Sequence, residues 1–304
     1  MSKGSLFFGN ARGKLGQVVL STLRGQQIAR AYQPKVANPQ TATQTNQRAK
    51  FSNAVKFFKQ ARKNLFLFAY EDKKPRESYY NAFMRHNIEF SVTLPRESYD
   101  DVRFPALGKE FVLSDGSLGE MTTMVTSSSG SNHPIFTLPF NEIKGTGHGV
   151  GDLSKALINS YGAVDGDYLT MVFIAASGMS PTSYVSHGPL VWETYQLKVD
   201  STSSDSLEAT LSTQAGDFKP TLTDTSGSDV NLAFNSDEDY CMAAFILSRK
   251  TTDGKLLVTK SVLVNSPKLD SFINGAIYND AKMSLLSWGK ADTPVLKGGI
   301  VEDI

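Results

Sequence analysis

The sequence predicts an α+β fold, with an N-terminal β-hairpin plus two helices followed by mainly antiparallel β-sandwich structure. Two short apolar segments flank a glycine near the N-terminus, and a long amphipathic segment follows them. From Lys109 onward the pattern changes to short alternating or continuous apolar runs, separated by turn residues. We therefore predict a basic docking module over residues 1–95 and a β-rich region over residues 106–304, either one domain or two subdomains of about 106–200 and 201–304.

The hairpin is the first predicted element. Residues 17–22 and 26–32 are apolar or alternating, and Leu23-Arg24-Gly25 lies between them. Because glycine adopts the backbone angles of a tight turn without steric cost, this arrangement favours two antiparallel strands.

A long helix follows the hairpin. Thr41 and Gln44 have the spacing of a capping box, which predicts a helix from about Thr41 to about Phe68. At helical spacing, the apolar side chains and the cations fall on two adjacent faces. The apolar face contains Phe51, Ala54, Phe57, Phe58, Ala61 and Leu65, and the basic face contains Arg48, Lys56, Lys59, Arg62 and Lys63. Lys50 falls on the apolar face, so its side chain must lie at an edge or extend toward solvent.

The remaining elements are a second helix at about 78–90 and a series of strands. Nine strands are predicted near residues 111–113, 121–126, 135–138, 168–175, 190–198, 207–211, 230–234, 240–247 and 256–264. Two helices interrupt them, at 152–161 with Asp152 as N-cap and at about 268–288. The Ser/Thr-rich stretches 122–131 and 201–228 are predicted to be exposed loops or a linker.

Charge is distributed very unevenly along the chain. Residues 1–70 contain twelve Lys and Arg and no Asp or Glu, whereas the remaining 234 residues carry 19 basic and 30 acidic side chains. A segment of this kind attracts a polyanion or an acidic protein face. The predicted docking residues are Arg12, Lys14, Arg24, Arg30, Arg48, Lys56, Lys59, Arg62 and Lys63.

Several function classes lack sequence support. Cys241 is the single cysteine, which excludes an intrachain disulfide and a zinc site with several cysteines. The four histidines are widely separated and have no metal-ligand spacing. The sequence also lacks a signal-peptide pattern and any apolar run of the roughly 20 residues that a membrane helix needs.

Two glycine-rich segments resemble phosphate-binding loops only superficially. The first, residues 9–14, is one residue short, and Leu15 occupies the place where a Ser or Thr must ligate magnesium. The second, residues 145–151, lacks dinucleotide spacing and a surrounding βαβ unit. We therefore predict no enzyme activity, no cofactor, no metal and no small-molecule substrate.

The first 90 residues contain a series of short motifs in this order: Gly13-Lys14-Leu15-Gly16, Arg30, Asn38-Pro39-Gln40-Thr41-Ala42-Thr43-Gln44, Arg48, Phe51, Tyr80-Asn81-Ala82-Phe83 and Asn87. The series resembles an uncharacterised family found in Bacteroidota and their bacteriophages. The resemblance implies a basic hairpin and helix segment followed by sandwich-like β domains.

These features together predict a bacteriophage virion structural protein of the head, the portal vertex or connector, or the tail. It would form a homo-oligomer and bind other virion proteins, and it would assemble in the host cytoplasm. We predict no membrane partner. Its basic module would dock to packaged DNA through phosphates or to an acidic virion partner. The alternatives are a cellular nucleic-acid-binding protein with an accessory β domain and a surface adhesin that uses exposed aromatics such as Trp192 and Trp288. Both tryptophans lie in apolar-patterned elements, which favours core positions for them.

Overall fold

The computed structural model describes the chain in eleven segments and divides it into two compact units, Met1–Gln40 and Thr41–Ile304. The described residues are 2–3, 12–23, 26–34, 42–64, 69–91, 110–127, 133–140, 149–176, 190–225, 229–235 and 239–274. They form mixed α+β structure with few helices and mostly antiparallel sheets.

The N-terminal unit is a four-stranded antiparallel sheet in the order β1-β4-β3-β2. Its strands are β1 (Ser2–Lys3), β2 (Gly13–Leu15), β3 (Val18–Leu23) and β4 (Gln26–Ala31). Strands β3 and β4 correspond to the two predicted strands and pair from Val18 with Ala31 to Leu23 with Gln26. The predicted turn residues Arg24 and Gly25 lie outside the described residues.

The second unit contains five described helices and thirteen strands. The helices are α1 (Ala42–Asn64), α2 (Tyr79–Asn87), α3 (Val150–Tyr161), α4 (Leu207–Ser212) and α5 (Pro267–Asn274). The strands are β5 (Ala69–Tyr70), β6 (Val112–Asp115), β7 (Glu120–Met121), β8 (Met124–Ser127), β9 (Pro134–Leu138), β10 (Tyr168–Ala176), β11 (Leu190–Lys198), β12 (Thr221–Thr225), β13 (Asp229–Asn235), β14 (Cys241–Lys250), β15 (Leu256–Val258), β16 (Lys260–Val262) and β17 (Val264–Asn265).

These strands form three sheets, one of which is central. The central sheet has the order β11-β10-β14-β15, with β17 also paired to β14. A second sheet has the order β12-β13-β9-β8, and a third, partly parallel sheet has the order β5-β6-β16-β7. Strand β10 pairs antiparallel with a neighbour on each side along nearly its whole length, so its backbone polar groups are satisfied within the sheet.

The central sheet is buried on both faces. Because successive side chains of a strand point to opposite sides, one strand contributes side chains to both cores. On β10, Val172 and Ile174 enter one core, whereas Met171 and Phe173 enter the other. A strand covered on both sides has a continuous apolar sequence, as residues 171–176 do. Two separate cores therefore lie on opposite faces of the same sheet.

The first core lies between the central sheet and the helices α1 and α2. It contains Ala54, Phe57, Phe58 and Ala61 of α1, Ala82 and Phe83 of α2, and Val172, Ile174, Met242, Ala244 and Ile246 of the central sheet. Ser78 caps α2 by accepting a hydrogen bond from the Asn81 backbone N–H at 3.2 Å.

The second core lies on the opposite face, against the β12-β13-β9-β8 sheet and two helices. It contains Phe136, Leu138, Leu232 and Phe234 of that sheet, Leu153, Ala156 and Leu157 of α3, and Leu207 and Leu211 of α4. Rings of Phe173 and Phe234 approach to 5.4 Å between centroids.

The unit boundary differs from the predicted end of the docking module at residue 95. Helices α1 and α2 share their core with β10 and β14, so the compact-unit boundary falls at Gln40, before α1. Described strands from both sides of residue 200 also belong to the same sheets, since β10 pairs with β14 and β9 pairs with β13.

Two local predictions were wrong. Residues 207–211 were predicted as a strand but form α4, because Leu207 and Leu211 are spaced by four and both reach the second core. Asp152 was predicted as the N-cap of α3, but the N-cap is Gly149 and Asp152 lies in the first turn. The helix starts earlier because the Val150 N–H donates to the Asp205 carbonyl at 2.9 Å, which fixes the preceding chain.

The polar stretch 201–228 also contains more regular structure than predicted. Thr221–Thr225 forms strand β12 at the edge of its sheet and pairs with β13. An edge strand needs only one paired side and few apolar residues, so hydrophobic patterning does not reveal it. Of the helix predicted at 268–288, the described part is α5, and Trp288 lies outside the described residues.

Glu71 ties distant segments together and gives stability a pH dependence. Its Oε1 accepts hydrogen bonds from the backbone N–H groups of Ser117 at 3.0 Å and Val258 at 2.8 Å. Burial raises the pKa of Glu71, but the hydrogen bonds from Ser117 and Val258, together with the charge of Lys255, outweigh it and leave the pKa below its usual value. Since the folded pKa is lower than the unfolded one, this stability is present above the unfolded pKa and is lost as pH falls through the folded pKa.

We therefore expect the Glu71→Gln variant to be less stable than the parent at pH 7 and to lose less stability between about pH 5 and pH 3. Urea unfolding followed by circular dichroism at several pH values measures both effects. Equal pH slopes for the two proteins would contradict this role of Glu71.

Candidate docking surface

The exposed face of α1 combines cations with apolar side chains. Arg48, Phe51, Lys59 and Arg62 are exposed, and Val55 is half-buried. Their spacing of three or four residues places all five on one side of the helix. We call this set the α1 face.

The other side of α1 anchors the helix to the body. Ala54, Phe57 and Ala61 are fully buried, and the Phe57 ring lies 4.4 Å from that of Phe111 between centroids. Lys50 is half-buried, in agreement with its predicted edge position. The helix is therefore a fixed part of the second unit, and the α1 face is held in place by core packing.

Phe51 corrects the sequence prediction. It was predicted on the apolar core face, yet its side chain is 48% exposed. At helical spacing it lies at the border between the two predicted faces, and the structure turns it to the basic one. An aromatic ring in the middle of a cationic face is a feature of protein and nucleic-acid interfaces.

The predicted docking residues on α1 differ in how far their side chains are exposed. Lys56 is half-buried, in contrast with the exposed Arg48, Lys59 and Arg62. Lys63 lies on α1, and its side chain is outside the described part of the structure.

The docking residues of the N-terminal unit lie on its sheet. Arg12, Lys14 and Arg30 are exposed. Lys14 Nζ lies 3.6 Å from the centroid of the Tyr32 ring, a cation–π contact. Arg24 is outside the described residues. Three cations thus lie on this sheet. Its described strands bury little apolar surface, and Leu20 is the one buried hydrophobic residue among those whose burial is described.

An acidic surface lies on the far side of the central sheet from α1. It consists of segments 149–167 and 199–217, and we call it the acidic loop surface. The segments are joined because Asp200 N–H donates to Ser154 Oγ at 2.9 Å and Ser201 N–H donates to Asp165 Oδ1 at 2.7 Å. They carry seven acids and one cation: Asp152, Asp165, Asp167, Asp200, Asp205, Glu208, Asp217 and Lys155.

Most of these carboxylates are available to a partner. Asp165, Asp200, Asp205, Glu208 and Asp217 are exposed. A hydrogen bond from the Thr202 hydroxyl lowers the pKa of Asp200, which keeps this carboxyl ionised. Asp167 is different, because it is buried and paired with Arg249 at 2.8 Å.

Exposed apolar side chains accompany the acidic loop surface. Val164 is 48% exposed and precedes Asp165, and Tyr168 is 40% exposed at the start of β10. The Val164 backbone N–H donates to Asp167 Oδ2 at 2.9 Å, which fixes the loop that carries it. Both surfaces therefore mix apolar groups with charge of a single dominant sign.

Glu193 is a buried charged residue that sequence reasoning missed. Its carboxylate accepts hydrogen bonds from the Tyr195 hydroxyl at 2.8 Å and from the backbone N–H groups of Asp217 at 2.9 Å and Phe218 at 2.8 Å. Burial and this hydrogen bond raise the pKa of Tyr195. The arrangement anchors the end of the acidic loop surface to β11. The alternating pattern of residues 190–198 contained a signal, because it places Glu193 on the same face as the buried Tyr195 and Leu197.

Residues that could carry other chemistry lie in structural positions. Cys241 is buried in β14, as its apolar context predicts. Trp192 packs on Phe57 with 5.3 Å between ring centroids, which leaves it poorly placed for a surface adhesin. His86 stacks on Tyr70 at 4.7 Å between centroids. Within the described ranges, no group of three or more His, Cys, Asp or Glu could hold a metal ion.

Among the described helices, none is both long and apolar enough to cross a bilayer.

Comparisons with known proteins identify a family for more than half of the chain. A family of unknown function, DUF6266, matches residues 10–178, a range that runs from the N-terminal sheet to the end of β10 in the central sheet. No curated protein and no solved structure significantly matches the chain. On this match the chain belongs to the DUF6266 family, a family of unknown function.

Proposed function

We propose that this chain is a bacteriophage virion structural protein that assembles as a multimer. The observation that carries the proposal is the separation of charge between exposed surfaces. The unit Met1–Gln40 contains six Lys or Arg and no acid, and the rest of the chain contains 25 basic and 30 acidic residues. Opposite charge on separate surfaces favours association of chains in a defined orientation.

The docking role follows from where the cations lie. Arg12, Lys14 and Arg30 are exposed on the N-terminal sheet, and Arg48 and Lys59 are among the exposed cations of the α1 face. In this proposal they bind an acidic virion partner or the phosphates of packaged DNA. The sheets that enclose the second core would form an antiparallel β-sandwich that makes the lateral or outward contacts of the particle.

In this proposal the chain is part of the head, the portal vertex or connector, or the tail of the particle. The particle is assembled in the host cytoplasm. Support comes from the likeness of the first 90 residues to a family of Bacteroidota and their phages. Mass spectrometry of purified phage particles from a culture that produces this protein tests the proposal. We expect its peptides in stoichiometric amounts, and their absence from purified particles would contradict it.

A second candidate is a nucleic-acid-binding protein with an accessory β domain. The exposed Phe51 beside Arg48, Lys59 and Arg62 favours it, since bases stack on aromatic rings and cations bind phosphates. Neutralising these three cations would then reduce the magnitude of the slope of log binding constant against log salt concentration by about two to three. An unchanged slope would contradict this candidate.

A further inference from the structure

We propose that the α1 face of one copy binds the acidic loop surface of a second copy, so that the chain assembles head to tail. This inference rests on the proposed function, because it specifies how the multimer forms. It commits to the chain itself as the partner.

The two surfaces cannot meet within one molecule. Helix α1 packs on the face of the central sheet that carries Val172 and Ile174. Helices α3 and α4, which carry the acidic loop surface, pack on the face that carries Met171 and Phe173. The sheet therefore separates the two surfaces, and each must find its complement on another molecule.

Their charges are opposite in sign. The α1 face has three exposed cations and no acid. The acidic loop surface has seven acids against one lysine, and six acids remain when Asp167, which pairs with Arg249, is set aside. Potentials that match in this way orient two proteins during their encounter.

Their apolar groups are complementary as well. Phe51 and Val55 lie among the cations of the α1 face, and Val164 and Tyr168 lie beside the carboxylates of the acidic loop surface. Protein interfaces combine an aromatic or aliphatic centre with a charged rim. A DNA backbone would match the cations of the α1 face but would leave Val55 without an apolar partner, which favours protein over nucleic acid.

The geometry predicts an assembly that continues. Because the contact joins two different patches, it is heterologous, and repetition gives a ring if the rotation closes and a filament if it does not. A two-fold dimer would instead bury the same patch on both copies.

Two variants of the full chain test the pairing. The helix variant is Phe51→Ser with Lys59→Gln and Arg62→Gln, and the loop variant is Val164→Ser with Asp205→Asn and Glu208→Gln. The altered positions are all exposed, so both variants should fold, which circular dichroism and thermal melting verify. The control is Lys250→Gln with Lys255→Gln, which removes two exposed cations outside both surfaces.

We expect each variant to lose self-association by about 100-fold, because an anchor side chain and two charges are removed. An equimolar mixture should form a heterodimer of one helix variant and one loop variant and nothing larger, since each chain keeps one intact surface. Native mass spectrometry resolves these species by their masses. The control should assemble like the parent.

Several results would overturn the pairing. One is unchanged self-association of both variants, which would leave the multimer itself standing. Another is a mixture of folded variants that forms no heterodimer. A third is a helix variant that loses retention on duplex DNA while its assembly is unchanged, which would make nucleic acid the partner. A parent chain that is monomeric throughout would contradict the proposed multimer as well.

Discussion

Replacing Phe57 by alanine is expected to lower the free energy of unfolding by about 3–5 kcal/mol. Phe57 is fully buried, and its ring lies 4.4 Å from Phe111, 5.3 Å from Trp192 and 6.0 Å from Phe83 between centroids. One side chain thus joins α1 to α2, to the residue before β6 and to the central sheet. Urea unfolding monitored by tryptophan fluorescence and circular dichroism measures the loss.

Phe51→Ala is the matched control for Phe57→Ala. It removes the same ring from the same helix, but at a position that is 48% exposed. The free energy of unfolding should then change by no more than about 0.5 kcal/mol. Equal losses for the two variants would mean that α1 does not present the faces described above.

Replacing Arg249 by methionine is also expected to destabilise the protein, by about 3–5 kcal/mol, because it leaves a buried carboxylate uncompensated. Arg249 donates to Asp167 from Nε at 2.9 Å and from Nη2 at 2.8 Å, and to the Gly162 carbonyl at 2.9 Å. The Asp167 side chain is only 3% exposed. The pair connects β14 and the start of β10 to the C-terminal end of α3.

Two further variants separate the charge pair from simple loss of a side chain. Lys250→Met changes the next residue, which is exposed, and should have little effect on the free energy of unfolding. Asp167→Asn combined with Arg249→Met should recover part of the stability, because no buried charge is then left without a partner. A double variant less stable than Arg249→Met would show that the carboxylate is not the cause.

The order of elements could be read from the sequence where hydrophobic periodicity is strong. The helix near 152–161 and the strands at 168–176 and 190–198 appear close to their predicted bounds. Each has an apolar pattern that only one type of element satisfies. Residues 207–211 do not, because apolar residues at both ends of a five-residue segment fit a strand and one turn of helix equally well.

The unit boundary could not be read from the sequence because charge and packing divide the chain differently. The acid-free segment of 70 residues suggested one basic module. Packing instead places α1 with the β region, since its apolar face covers the side of the central sheet that carries Ile174 and Met242. Which distant strand a helix covers depends on long-range contacts that local periodicity does not encode.

The candidate surface was only partly predictable for the same reason. The cations Arg48, Lys59 and Arg62 follow from helical spacing, but the exposure of Phe51 depends on how α1 is rotated against the sheet. The acidic loop surface is assembled from segments about 50 residues apart, and only the fold brings Asp165 close to Ser201.

The mass of the full chain in solution tests the central claim, assembly through surfaces of opposite charge, most directly. Sedimentation velocity should show multimers at about 20 mM salt that dissociate by about 500 mM, because salt screens exposed charges. The degree of dissociation should rise more steeply with salt concentration than it would for an interface held by apolar contacts alone. A chain that sediments as a monomer at low salt, at every concentration tested, would contradict the account.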